Sequence, residues 1–256
     1  MESRRTFLGI SAIVFAASAA MTIASCASMA RMGAMEMPGG WAMSMVWMRM
    51  PGQTWPGAAG SFVGMWVVMM VAMMVPSLTP LLWRYGQAIG AAGATRSGRL
   101  TALVGLGYFF VWALVGMMVF PLGAALAAIL MGKPALARAA PIVVGTVVLL
   151  AGALQRTAWK TRYLALCREA PGRGTTPGAG PGAAWRYGLC LGLHCVRSCA
   201  SLTALALGLG VMDVRVMTAV GAAITAERLA PNGERVARVM GAIAVGVGAV
   251  VMLLAR

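Results

Sequence analysis

Residues 100–132 have the sequence LTALVGLGYFFVWALVGMMVFPLGAALAAILMG, which contains no charged side chain. These 33 residues exceed the roughly 17 to 25 that an α-helix needs to cross the hydrocarbon core of a bilayer. Backbone polar groups must be satisfied internally in lipid, so an apolar segment of this length crosses as a helix. The stretch therefore predicts a membrane-spanning helix.

Six further apolar runs extend this pattern along the chain. They are residues 7–30, 57–82, 139–155, 187–212 (broken only by Arg197), 216–226, which is short, and 239–255. Only 11% of the residues are charged and 60% are hydrophobic, whereas an ordinary soluble domain has about 25% charged residues. We therefore predict an all-α fold, a polytopic transmembrane helix bundle of about seven spans, or six if the first is removed.

The net charge of +15 follows the membrane topology. Fourteen of the 21 Lys and Arg residues lie in alternate loops: before the first run, after the second, between the fourth and fifth, and between the sixth and seventh. The positive-inside rule places these loops and the N-terminus in the cytoplasm, which predicts a multi-pass protein of the bacterial inner membrane. The lipid bilayer is then the expected partner, and nucleic acid is not needed to explain the arginines.

The first apolar run allows two interpretations. Residues 3–8, Ser-Arg-Arg-Thr-Phe-Leu, resemble a twin-arginine export signal, and residues 23–26, Ile-Ala-Ser-Cys, resemble a lipoprotein cleavage box. The alternative, which the charge pattern favours, is an uncleaved helix anchored by its two arginines. We divide the chain into a first transmembrane helix or signal anchor (1–30), a Met- and Trp-rich external loop (31–56) and a helical membrane domain (57–256).

Methionine recurs in pairs within the external loop. The three Met-x-Met pairs are Met35 with Met37, Met43 with Met45, and Met48 with Met50. Thioethers are soft ligands that suit Cu(I), and alternate side chains of an extended segment share one face and can reach the same ion. The interleaved tryptophans are equally typical of a flap at the membrane interface. The loop therefore predicts copper capture, a flap, or both.

The single histidine lies in a cysteine-rich segment of the fifth run. Cys190, His194, Cys195 and Cys199 fall within ten residues, and thiolates and imidazole are ligands for copper, zinc and iron. On a straight helix, Cys190 and His194 share a face with Arg197, whereas Cys195 and Cys199 lie together on another. A metal site would therefore use one of the two pairs, completed by another span, or would require a broken helix.

Three residues on other spans are candidates to complete such a site. Met69 and Met73 lie on a methionine stripe of the second span, for which helix packing is the alternative role. Glu227 is the acid best placed to point inward, as the partner of a buried Arg197, a metal ligand or a proton carrier. Its alternative role is an interfacial charge paired with Arg228.

The cysteine count predicts no disulfide framework. Five is an odd number, and no two cysteines pair obviously across an external loop. Cys167 falls in the basic cytoplasmic loop, where thiols stay reduced. Either an ordinary thiol or a metal ligand fits that position.

Four motifs in order resemble those of a known family of bacterial polytopic proteins. They are residues 65–77, residues 152–168 with Gln155, Lys160 and Cys167, Gly192-Leu-His194-Cys195 with Cys199, and Glu227-Arg228-Leu229 before Pro231. The family is identified as predicted metal-binding integral membrane proteins with a domain of unknown function, and the resemblance covers residues 55–250. It implies a membrane metal-binding role. In that family a second cysteine closely follows His-Cys, whereas here Arg197, Ser198 and Ala200 surround Cys199.

These patterns together favour an integral membrane protein that handles copper. The Met-rich loop would collect the ion, and His194, Cys195 and Cys199 would hold it, with copper as the bound metal. The alternative is a metal-free accessory subunit with other membrane subunits as partners, since Gly- and Ala-rich spans favour close helix packing. An enzyme is disfavoured because the chain has no nucleotide-binding loop, serine triad or paired carboxylates.

Overall fold

The computed structural model describes residues 2–31, 33–38, 40–50, 52–90, 94–168 and 180–254. Within these ranges the chain forms eight α-helices and one short β-hairpin, which confirms the predicted all-α helix bundle. The helices are α1 (Glu2–Arg31), α2 (Trp55–Ala88), α3 (Ala94–Gly132), α4 (Pro134–Leu154), α5 (Ala158–Arg168), α6 (Pro181–Gly210), α7 (Val214–Leu229) and α8 (Gly233–Leu254).

Six of the described helices, α1 to α4, α6 and α8, are long and apolar enough to cross a membrane. Helix α7 has only 16 residues, or roughly 24 Å at 1.5 Å per residue. It runs parallel to α2, because Gly221 of α7 lies at Met73 and Arg228 of α7 reaches Ser77. Helix α7 therefore packs one face against the bundle and carries its last residues next to α2 and α6.

Glycines let two pairs of helices pack closely. On α4 and α8, a Cβ atom at Gly152 would stand 2.8 Å from the carbonyl oxygen of Gly241, and one at Gly248 would stand 2.8 Å from that of Gly145. On α3 and α6, a Cβ atom at Gly192 would stand 3.0 Å from the carbonyl oxygen of Tyr108. Small residues of this kind allow backbones to approach within a membrane. The close α3–α6 contact brings the Tyr108 side chain to the inner face of α6.

A methionine hairpin precedes α2. It consists of β1 (Ala34–Met37) and β2 (Trp41–Ser44), which pair antiparallel, and is followed by a 3₁₀ helix (Met45–Trp47). The directly opposed pairs include Met35 with Met43 and Met37 with Trp41. Because opposed and alternate residues of a hairpin share a face, these four side chains lie on the same side of the sheet.

The methionine hairpin is docked onto the ends of α3 and α4. Met37 and Met43 are buried in a small cluster with Ala127 and Ala137. The indole Nε1 of Trp41 donates a hydrogen bond of 2.8 Å to the carbonyl oxygen of Ala137. The hairpin part of the predicted external loop thus packs against the adjoining ends of α3 and α4.

Candidate metal centre

Helix α6 carries the predicted ligands on two of its faces. It is continuous from Pro181 to Gly210, so no break brings the four side chains together. Cys195 and Cys199 are buried, with 0% and 2% exposure, and their Sγ atoms are 3.9 Å apart. Cys190 is exposed, and its Sγ lies 3.4 Å from Nε2 of the half-buried His194. The four residues therefore form two separate pairs.

Two further sulfur atoms lie beside the buried pair. The Sδ of Met74 on α2 is 3.9 Å from the Sγ of Cys195. The Sγ of Cys167 on α5 is 3.6 Å from the Oγ of Ser198, which is also 3.6 Å from the Sγ of Cys199. All four sulfur-bearing residues are buried. We call Met74, Cys167, Cys195 and Cys199 the sulfur cluster.

Arg228 of α7 is a buried cation in contact with the sulfur cluster. Its Nη2 lies 3.6 Å from the Sγ of Cys167 and 4.0 Å from the Sγ of Cys199. Among the described residues, no carboxylate oxygen lies within ion-pair distance of Arg228, and burial of an uncompensated charge is costly. A thiolate in the sulfur cluster, or an anionic metal–thiolate group, would balance this charge.

Tyr108 joins Arg228 to the cysteine pair. Its hydroxyl donates a hydrogen bond of 2.8 Å to the Sγ of Cys195 and lies 3.5 Å from Nη1 of Arg228. Burial raises the pKa of the Cys167 thiol, while the charge of Arg228 acts in the opposite direction. The protein thus surrounds buried thiols with a cation and a hydrogen-bond donor, both of which favour negative charge on sulfur.

Glu227 belongs to a separate buried network. Its carboxylate forms an ion pair of 2.6 Å with Nζ of Lys160 and accepts a hydrogen bond of 2.6 Å from Nε2 of Gln155. The Oε1 of Gln155 accepts a hydrogen bond from Ser201, and Nζ of Lys160 donates one to the carbonyl oxygen of Ser198. The network connects α4, α5, α6 and α7 around the cysteine pair.

The predicted pairing of Glu227 with a buried Arg197 is wrong. Arg197 is exposed, and its guanidinium lies over the ring of Tyr163, 5.5 Å from the ring centroid. Position 197 shares the outer face of α6 with His194, whereas Glu227 lies on the buried side, next to Lys160 and Gln155. Glu227 is not an interfacial partner of Arg228 either, because both residues are buried and Glu227 pairs with Lys160.

Four methionines in the middle of α2 are buried. Met69, Met70, Met73 and Met74 are each at most 8% exposed. Met73 packs against α7, where a Cβ atom at Gly221 would stand 3.5 Å from its Cγ. It is Met74, one position beyond the predicted Met73, that contacts Cys195.

The predicted methionine ligands, which lie in the hairpin and in the residues directly after it, differ in burial. Met37 and Met43 are buried, and Met35, Met45, Met48 and Met50 are half-buried. The three methionines that share one face of the sheet, Met35, Met37 and Met43, pack against the α3–α4 end of the bundle. The hairpin therefore brings thioethers together on a packed surface.

Helix α5 supplies the parts of the site that the sequence analysis missed. Lys160, Leu164 and Cys167, spaced four and three residues apart, are all buried. That spacing places them on one helix face, so an amphipathic helix in the basic loop was visible in the sequence. The loop assignment concealed it. Arg228 was missed because an arginine beside an acid suggests a surface ion pair.

The donor set of the sulfur cluster suits a soft monovalent ion. No group of three or more His, Cys, Asp or Glu residues in the described ranges has the geometry of a metal site. Metal–sulfur bonds of roughly 2.3 Å nevertheless allow two sulfurs up to roughly 4.6 Å apart to contact one ion. Cys195 and Cys199 meet this limit, and Met74 adds a soft neutral ligand. The cluster is better suited to Cu(I) than to tetrahedral zinc.

Comparison with known proteins identifies the family of this chain. No curated protein and no solved structure matches the chain. A family model described as "PpoB2: Copper chaperone" matches residues 63–251, which is more than half of the 256 residues and includes every residue of the sulfur cluster. The chain therefore belongs to the PpoB2 copper chaperone family, and its function is related to copper.

Proposed function

We propose that this protein is a membrane-embedded Cu(I) chaperone and that the sulfur cluster is its copper-binding site. The observation that carries the proposal is the pair of buried thiols, Cys195 and Cys199, 3.9 Å apart and in contact with Met74 and Arg228. Thiolate and thioether ligands select Cu(I) over harder ions. Burial also keeps competing ligands and oxidants away from the bound ion.

Charge balance supports an anionic copper complex at this position. Cu(I) bound by two thiolates carries a net charge of −1, and binding releases the two thiol protons. The guanidinium of Arg228, 4.0 Å from the Sγ of Cys199, compensates this charge in a medium of low dielectric constant. The Lys160–Glu227 pair is internally neutral and leaves this balance unchanged.

The four buried methionines of α2, Met69, Met70, Met73 and Met74, provide a route by which a copper ion reaches the sulfur cluster. Met70 and Met74 are one turn apart, a rise of roughly 6 Å, and both are buried. The methionine hairpin lies at the end of the bundle from which α2 starts. Neutral thioethers bind Cu(I) more weakly than thiolates do. An ion collected at the hairpin would therefore pass along α2 towards stronger ligands.

The binding of one Cu(I) ion by Cys195 and Cys199 is directly testable. Protein in lipid nanodiscs is loaded with Cu(I) without oxygen, and the copper retained against a chromogenic Cu(I) chelator is measured per chain. We expect the Cys195→Ser/Cys199→Ser variant to lose one equivalent. The matched control is Cys26→Ser, which removes a buried cysteine of α1 and should retain copper. Equal copper content in the double variant and the control would contradict the proposal.

A further inference from the structure

We infer that Cys190 and His194 form a second Cu(I)-binding pair, exposed on the outer face of α6 and separate from the sulfur cluster. The choice of Cu(I) as the ion rests on the proposed function. The pair itself is inferred from geometry, exposure and hydrogen bonding. Its role would be to make copper accessible to an acceptor that cannot reach the buried thiols.

The first argument is the distance between the two donor atoms. The Sγ of Cys190 and the Nε2 of His194 are 3.4 Å apart on successive turns of a continuous helix. Metal–sulfur and metal–nitrogen bonds of roughly 2.3 and 2.0 Å allow such atoms to lie up to roughly 4.3 Å apart on one ion. Both atoms are therefore within reach of a single Cu(I) ion.

The second argument is that His194 is poorly placed for a purely structural role. Its Nδ1 is buried and has no hydrogen-bond partner among the described residues. Copper would bind through the other nitrogen, so this observation shows only that no hydrogen bond at Nδ1 fixes the ring in a structural role. The other nitrogen faces Cys190, and the ring of Tyr163 lies at a centroid distance of 6.2 Å on the α5 side.

The third argument is accessibility. The described residues include all five cysteines, and only Cys190 is exposed. A chaperone transfers its ion by ligand exchange, which requires the incoming ligand to approach the bound metal. Cys195 and Cys199 are too buried for direct approach, whereas His194 is the chain neighbour of Cys195 and opens onto the outer face of α6.

The test is the protection of Cys190 from alkylation, read by peptide mass spectrometry. Nanodisc-embedded protein is equilibrated with Cu(I) without oxygen and pulsed with N-ethylmaleimide. At about ten times the half-protecting Cu(I) concentration, roughly one site in eleven is free, so labelling of Cys190 should slow about tenfold. In His194→Ala and His194→Gln, Cys190 should label at the metal-free rate at that same Cu(I) concentration. The inference would be overturned if Cu(I) left the labelling rate of Cys190 in the wild type unchanged, or if Cu(I) fully protected Cys190 in both variants.

The same measurement on Cys195→Ser/Cys199→Ser separates this inference from the proposed function. We expect Cys190 to remain protected there, because its own pair is intact. Loss of protection in that variant would show that Cys190 depends on the sulfur cluster and would overturn the separate site. Failure of the proposed function would instead appear as unchanged copper content in the double variant, a readout that does not involve Cys190.

Discussion

Replacing Arg228 by leucine tests how the bundle tolerates an anionic copper complex. In the wild type, Nη2 of Arg228 lies 4.0 Å from the Sγ of Cys199. Two unit charges at that distance interact by about 4 kcal/mol at an effective dielectric constant of about 20. In the proposed binding step copper replaces two thiol protons, so this attraction arises only in the loaded protein. The arginine therefore stabilises the loaded form over the empty one.

The expected effect of Arg228→Leu is a loss of Cu(I) affinity. An attraction of about 4 kcal/mol corresponds to about a thousandfold in the dissociation constant, since each 1.4 kcal/mol is tenfold. The desolvation cost of the buried arginine is the same in the empty and the loaded form and cancels from the affinity, so we expect a weakening of about a hundredfold or more. The assay is competition for Cu(I) against a chelator of known affinity, in nanodiscs and without oxygen.

Arg197→Leu is the matched control for this substitution. It removes the same charge from an exposed position over Tyr163, so we expect Cu(I) affinity at the sulfur cluster to be unchanged. Thermal unfolding of the copper-free protein shows whether Arg228→Leu remains folded. Equal Cu(I) affinity in folded Arg228→Leu and in the wild type would refute the charge-balance argument.

Three further predictions concern the surroundings of the sulfur cluster. Lys160→Met leaves Glu227 as an unpaired buried charge and should lower the free energy of unfolding by about 3–5 kcal/mol. Lys160→Met/Glu227→Leu removes both charges and should lower it less. A double variant less stable than the single one would contradict this reasoning. Met74→Leu conserves volume and should lower the free energy of unfolding by less than about 1.5 kcal/mol. It should nevertheless weaken Cu(I) binding, measured by chelator competition, because it removes a thioether beside Cys195. Unchanged binding would show that Met74 is not a ligand. Burial raises the pKa of the Cys167 thiol, so maleimide should label Cys167 more slowly than the exposed Cys190 at neutral pH, and labelling of Cys167 should speed up as the pH rises. The rates are read from the modified peptides by mass spectrometry. Equal rates for the two cysteines would contradict the buried position of Cys167.

The fold was predictable because its main sequence signal is a set of long apolar segments that contain almost no charged residues. Residues 100–132 and the other long apolar runs appear as α1 to α4, α6 and α8. Helix α7 was harder to recognise because its 16 residues fall below the usual length of a span. Its position beside α2 depends on tertiary packing, in which Gly221 faces Met73. No periodicity in the sequence specifies that contact.

The division of the α6 ligands into two pairs was also predictable, because it follows from 3.6 residues per turn. The sequence could not show which face was buried. Gly188 and Gly192 determine this by packing α6 closely against α3, so that Cys195 lies inside and Cys190 outside. The inward position of Arg228 was hidden for a related reason, since local pairing with Glu227 looked sufficient until the structure placed Lys160 beside that carboxylate.

The most direct test of the central claim is X-ray absorption at the copper edge. The sample is the Cys190→Ser variant loaded with one equivalent of Cu(I), so that the exposed pair cannot contribute. Binding at Cys195 and Cys199 predicts a first coordination shell of two or three sulfur atoms and no nitrogen or oxygen. The same edge measured on Cys195→Ser/Cys199→Ser/Cys190→Ser should show that this shell is lost. A nitrogen- or oxygen-containing shell in the first sample, or an unchanged sulfur shell in the second, would contradict the account.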